Sequence, residues 1–183
     1  MAKKPKRRII TGIEIGTGTI KVVMGEFLPD DVLAIVGSGQ APALHVQKGD
    51  VLDVEKVLAQ LARAVDAAES ASGLTIDGPI FVSATGAHIR PVVAVGRTMV
   101  QGPGHTVTEE DVVTAVQGAR SYGLPPDQKI LHTWERSFQV DDGAKVTNAL
   151  GRVGDWLAAE VLLIVGQHSP LETTCSMIQD LMG

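Results

Sequence analysis

"TGIEIGTGTIKVVMGEF", Thr11 to Phe27, reads as a strand, a loop of small residues and a second strand. Gly16-Thr17-Gly18-Thr19 lies between two β-forming runs, with Lys21 just beyond. Two readings fit this loop. Glycines are the default residues of tight turns, so a plain β-hairpin accounts for it. The same loop can instead lie flat enough for an anion to approach the amides of Gly16 and Gly18, with Thr17 and Thr19 hydroxyls as further donors. Lys21 is then the point charge, and Glu14 on the adjacent strand would hold a hydrated magnesium ion. Two common phosphate motifs fail on context. A dinucleotide-binding G-x-G-x-x-G loop requires a helix after it, whereas "IKVVMGEF" has no helical period and Lys21 replaces the third glycine. The P-loop pattern G-x-x-x-x-G-K-[ST] is absent.

The surrounding chain supplies more strands. Ile9, Thr11, Ile13 and Ile15 alternate with Ile10, Gly12 and Glu14, and a third strand runs from Val32 to Gly39 after the turn "PDD". Connections this short favour an antiparallel meander. Beyond a looser stretch from Gln40, Asp53 is placed to cap a helix whose apolar face is Val54, Val57, Leu58, Leu61 and Val65, with Gly73 as its stop. "PIFVSAT", Pro79 to Thr85, follows as a buried strand.

The texture changes after Gly86. Ile89 to Val100 is strand-like, and Thr108-Glu-Glu-Asp111 opens a helix from Val112 to Tyr122 with Gly123 beyond it. Lys129 to Val140 and Trp156 to Gly166 are strands separated by a polar loop. This second segment therefore reads strand, helix, strand, strand. A final helix is signalled by Ser169 as cap, Pro170 and Glu172, with Leu171, Cys175, Ile178 and Met182 on one face.

Composition narrows the function classes. With 44% hydrophobic and only 3% aromatic residues, the core has to be built from Val, Ile, Leu and Ala. A net charge of −5 argues against nucleic acid as a partner. The basic run Lys3 to Arg8 reads as a solvated tail over residues 1–8. One cysteine excludes an internal disulfide, and Cys175 beside Leu171 and Ile178 reads as a core thiol. The five histidines show no metal-ligand spacing, and no nucleophile motif is visible. Without a signal peptide or an apolar run of about 18 residues, a cytoplasmic location is expected. Trp156 is expected to pack inside its sheet, while Trp134 sits among polar neighbours.

A β-hairpin phosphate loop, a third antiparallel strand, a helix and a fourth strand resemble the opening of the actin/Hsp70-type nucleotide-binding fold. Within it the chain resembles the FtsA family of actin-like bacterial cell-division proteins. The resemblance is carried by Gly12 to Glu26, Lys48 to Glu69, Val82 to Ile89, Val107 to Arg120 and Lys129 to Asp142. It implies an α/β (α+β) chain in which residues 9–86 plus 165–183 form an actin-like lobe 1A. Residues 87–164 would form lobe 1C, an inserted SHS2-type strand-helix-strand-strand unit. It also implies ATP with magnesium at Gly16, Thr17, Gly18, Thr19, Lys21 and Glu14, in a scaffold rather than an enzyme. Implied partners are other copies of the chain through 1C in a filament, late-arriving division proteins at 1C, and FtsZ through a lobe not found here. Membrane contact would come only through a C-terminal amphipathic helix, also not found here, at the inner face of the membrane.

The family pattern departs at two points. Its second phosphate loop and adenosine-binding segment have no counterpart, so the chain reads as a fragment or a truncated product. The family loop "NPVG" stands here as Asn148-Ala149-Leu150-Gly151, without the proline that would set its shape. The alternatives are the pilus-assembly protein PilM, which shares the 1C type of insertion, and an actin-fold ATPase or kinase. Val93 and Val95 on the first 1C strand, with Val92 and Val100, would leave an apolar edge for contact.

Overall fold

The computed structural model describes residues 7–121 and 123–182. The first six residues of the expected basic tail, the expected helix end at Tyr122, and Gly183 lie outside them. The fold divides into two compact units, one formed by Ile89–His168 and the other by the rest of the described chain.

In the first unit, strands β1 (Arg8–Ile15), β2 (Thr19–Phe27), β3 (Leu33–Pro42) and β6 (Ile80–Ser83) form a sheet in the order β3-β2-β1-β6. The first three are antiparallel and β6 runs parallel to β1. A two-residue ladder, β4 (Val46–Gln47) with β5 (Asp50–Val51), precedes helix α1 (Val54–Ser72). Asp53 accepts a hydrogen bond from the Lys56 amide at 3.1 Å, and Gly73 ends the helix in the left-handed conformation, φ 66°. Alternate residues of β1 and β2 (Ile9, Ile13, Ile15, Ile20, Val22, Met24) join Val57, Leu61, Ala64 and Ala68 of α1 in one core. Met177 and Ile178 of α3 (His168–Met182) close it. Arg8 already belongs to β1, one residue inside the expected tail, and both Arg7 and Arg8 are exposed yet held by contacts. Arg7 pairs with Glu26 at 3.0 Å and Arg8 lies 4.7 Å over the Phe27 ring, which draws the strand start forward.

In the second unit, β7 (Ile89–Met99), β8 (Gln128–Val140) and β9 (Trp156–Gln167) form an antiparallel sheet in the order β7-β9-β8. Helix α2 (Glu109–Arg120) packs on one face through Ala115 and Ala119, against Ala94, Leu157, Ala159, Val161 and Leu163. The order is strand, helix, strand, strand, as expected. A full capping box starts α2: Thr108 Oγ1 accepts from the Asp111 amide, and Asp111 accepts from the Thr108 amide at 2.9 Å. Asp111 also accepts from the Gln101 amide at 2.9 Å and the Thr108 hydroxyl at 2.7 Å, and is 3% exposed. The Gln101 amide, then those of Thr108, hold its carboxyl below the ordinary carboxylate value.

Several expectations are corrected. The strand near Phe81 is not buried: Ile80 and Val82 pack against the core on one face, and Phe81 on the other is 63% exposed. Val54, at the first turn of α1, is exposed. Helix α2 ends at Arg120, capped by Ser121 rather than Gly123. Helix α3 starts at His168, whose amide donates to the Asp127 carbonyl at 2.6 Å, so strand passes straight into helix and Ser169 is no cap. Its packed face is rotated toward Met177 and Ile178, which leaves Cys175 exposed. Trp156 is 50% exposed, because even-numbered residues of β9 point away from α2.

Two outcomes are expected. A Cβ on Gly96 would lie 2.0 Å from the Ala115 carbonyl oxygen, so Gly96→Ala should destabilise by about 1–3 kcal/mol or more. Gly18→Ala, where a Cβ meets nothing within 4 Å, is the control, and urea unfolding compares them. The depressed folded value of Asp111 means its contribution is complete above the unfolded value, about 3.9, and is lost as pH falls through the lower folded value. Asp111→Asn should therefore cost about 1–3 kcal/mol at neutral pH, with the gap to the parent protein closing below pH ~4.

Candidate functional site

The loop Gly16-Thr17-Gly18 joins β1 to β2, whose register runs from Arg8↔Phe27 to Ile15↔Ile20. Because β6 is parallel to β1, its last residue Ser83 and the following Ala84-Thr85 lie at the same end of the sheet. That end, beyond the carboxyl termini of parallel strands, is where open α/β sheets gather ligand-binding loops. Three contacts fix the loop. The Gly16 amide donates to the Thr19 carbonyl at 3.1 Å, and the Gly18 carbonyl accepts from the Ala43 amide at 3.2 Å. Thr17 Oγ1 accepts from the Lys48 amide at 3.2 Å. The Gly16 amide is thus used by the hairpin itself, which removes it as an anion donor in this arrangement.

Neither Gly16 nor Gly18 has positive φ, so the backbone conformation does not demand them. At Gly16 a Cβ would approach the Thr19 carbonyl oxygen to 3.1 Å, and at Gly18 it would meet open space. Gly12 is open in the same way. Smallness at Gly18 is therefore not required by the protein's own packing. A bare backbone facing open space is what a close-approaching ligand needs.

Lys21 and Glu14 are cross-strand partners, with Nζ 3.2 Å from Oε2 and both side chains about half exposed. The sequence reading gave these two separate tasks, and here they hold each other. Among the described residues no group of three or more His, Cys, Asp or Glu side chains is arranged to hold a metal ion. Glu14 is a single carboxylate, which suits a magnesium ion that keeps most of its water.

Sequence reasoning missed the turn Lys48-Gly49. It links β4 to β5 with φ 50° and 89°, the two positive values of a type I′ hairpin. A Cβ on Gly49 would fall 2.2 Å from the Thr85 carbonyl oxygen, and the Ala87 amide donates to the Lys48 carbonyl at 2.8 Å. The signal was a lone Lys-Gly between two valine-containing pairs, weaker than Asn-Gly. His88 lies under this turn, its buried Nδ1 3.6 Å from Asp50 Oδ1 and beyond hydrogen-bond reach.

The second unit presents a different surface. Val93, Val95, Trp134 and Trp156 are exposed, and the His132 and Trp134 rings stack at 5.3 Å. Glu160 lies on the same sheet, held by Lys145 at 2.5 Å and Arg136 at 3.4 Å; the Lys145 hydrogen bond chiefly keeps its carboxyl below the ordinary value. The Asn148 loop holds its shape without proline, since Asn148 Oδ1 accepts from the Leu150 amide at 2.9 Å and Gly151 has φ 76°. Among the described residues no helix is long and apolar enough to cross a membrane.

The fold is thus a mixed α/β chain, with a hairpin-led sheet in one unit and a strand-helix-strand-strand insertion in the other. The family model for the SHS2 domain inserted in FtsA matches residues 86–165. Cell division protein FtsA of Escherichia coli (strain K12) is 32% identical over 90% of the chain, which covers 38% of that protein. The FtsA proteins of Pseudomonas aeruginosa (30% identity, 90% of the chain, 39% of the relative) and Borreliella burgdorferi (31%, 89%, 39%) agree. Over nearly its whole length the chain is thus similar to cell division protein FtsA, with residues 86–165 matching the SHS2 domain of that protein; it spans about two fifths of the length of these relatives. A solved diol dehydratase-reactivating factor in nucleotide free form aligns with 54% of the chain and 18% of its own, at 17% identity and TM-score 0.34, too slight a likeness to argue from.

Thr17→Val should speed hydrogen exchange at the Lys48 amide by about fivefold, the effect of losing a bond of about 1 kcal/mol. Amide exchange followed by NMR is the measurement. Unchanged protection would mean that the turn is held without Thr17.

Proposed function

We propose that the chain is the part of an FtsA-like scaffold that receives the phosphates of ATP and supplies assembly contacts. The scaffold polymerises and tethers the FtsZ ring to the membrane. It is not an enzyme with its own small-molecule substrate. The carrying observation is the open backbone at Gly18, beside a fixed Thr17 hydroxyl and the Glu14–Lys21 pair. A half-exposed pair of this kind is worth at most about 1 kcal/mol, so its partners can be exchanged at small cost. A phosphate would take Lys21, and a magnesium-bound water would take Glu14. Magnesium would supply charge neutralisation between phosphate oxygens when bound.

Further contacts to base, ribose and the remaining phosphates belong to residues outside this stretch. FtsZ and the membrane would likewise be engaged by segments of the longer protein. Other copies of the chain and late-arriving division proteins would meet the SHS2 unit, where Val93, Val95 and Trp134 are exposed.

Calorimetry with magnesium-ATP tests the nucleotide part. This chain alone should bind at ~1 mM or weaker, about 4 kcal/mol, because half the site is lacking. A longer chain that includes the second lobe should bind far more tightly, with Lys21→Ala weakening it by loss of a charge-assisted contact. A low-micromolar dissociation constant for these 183 residues would mean that the site is complete without further lobes, and would sink this assignment.

A further inference from the structure

We propose that Lys48 is a second phosphate-binding residue, presented by the type I′ turn against Thr17 to meet the polyphosphate of a nucleotide; this rests on the ATP reading above. The turn and the hairpin loop are joined directly by the bond from the Lys48 amide to Thr17 Oγ1, 3.2 Å. A threonine hydroxyl that accepts in this way keeps its own proton for donation, so the bond orients Thr17 as a donor. The turn is also pinned from behind. Gly49 has no room for a Cβ beneath the Thr85 carbonyl, and the Lys48 carbonyl accepts from the Ala87 amide at 2.8 Å. Its position relative to the loop is therefore built into the fold.

Charge makes the same point. Lys21 is engaged by Glu14, whereas Lys48 is exposed and has no ion-pair partner among the described residues. Residue choice is the third strand of the argument. Lys48 has φ 50°, a region that Asn or Gly adopts readily and a lysine does not. A long cation in a position whose backbone favours Asn departs from the local rule, as functional positions do. The flexible four-carbon stem and three donors of lysine suit a phosphate that arrives in more than one pose.

The experiment is a backbone-amide NMR titration of this chain with magnesium-ATP, comparing the parent, Lys48→Asn and Lys48→Arg. Asn suits the positive φ, so the charge is removed without disturbing the turn. The amides of Gly16 to Thr19 and of Gly49 should move in one titration. Lys48→Asn should weaken binding about five- to tenfold, the loss of one charge-assisted contact, and Lys48→Arg should retain most of it. Binding within twofold of the parent after Lys48→Asn overturns the role of Lys48. If Gly16 to Thr19 still shift in that variant, the ATP reading stands without it. No shift at Gly16 to Thr19 in the parent even at about 20 mM nucleotide, well above a dissociation constant of ~1 mM, overturns both.

Discussion

The backbone of a helix pressed onto a strand glycine is the constraint on which both units depend. At Gly39 a Cβ would sit 2.0 Å from the Ala64 carbonyl oxygen, and Gly37 repeats the contact 2.6 Å from that of Ala68. At Gly96 the same distance is 2.0 Å, from Ala115, with the Ala119 amide 2.2 Å away. In each case the helix offers alanines four residues apart, on one face, to a strand that has given up its side chain. Aromatics at 3% could not fill a wider gap between helix and sheet. Close approach lets Val, Ile, Leu and Ala reach interior packing density instead. The sheet is held at a set distance, and the loops at its end inherit that precision.

Local signals were the most legible part of the sequence. Asp53 and Gly73 bracket α1 as read, and the Thr108–Asp111 capping box is formed. Strand existence was also legible, since β-forming residues recur at every second position from Ile9 to Ile15. What escaped were features set by tertiary contact. Whether Phe81, Cys175 or Trp156 faces inward depends on which face the helix covers, and an apolar side chain does not encode that. The Lys48-Gly49 turn escaped because Lys-Gly is a weak turn signal, and the contacts that hold it, to Thr17, Thr85 and Ala87, come from residues distant in sequence.

The candidate site shows the same division. Composition picked out Gly16 to Thr19, and the pairing of Glu14 with Lys21 follows from register once the hairpin is known. Yet the reason for the glycines could not be read from the string. A hairpin glycine is ordinarily explained by positive φ, and here φ is not positive. Gly16 is small because the Thr19 carbonyl is near; Gly18 has no such neighbour. Two identical residues, two positions apart, thus stand for different physical reasons, and only the second leaves backbone open to a visitor.

In the SHS2 unit the question is face against edge. The sequence suggested that β7 would leave an apolar edge. Its edge is blunted, for Pro91 donates no ladder hydrogen bond and Arg90 and Arg97 place charge along it. The opposite edge, β8, is interrupted by irregularities at Ile130/His132 and Glu135/Ser137. Neither edge is a flat template for another strand. The apolar residues instead meet on the sheet's open face, where Val93 and Trp134 both oppose Leu162 and Val95 opposes Glu160. Glu160, tied to Lys145 and Arg136, keeps a charged centre within that surface and so limits indiscriminate apolar association. A partner that docks here would have to match side chains around an ion cluster, which is a stricter requirement than adding a strand.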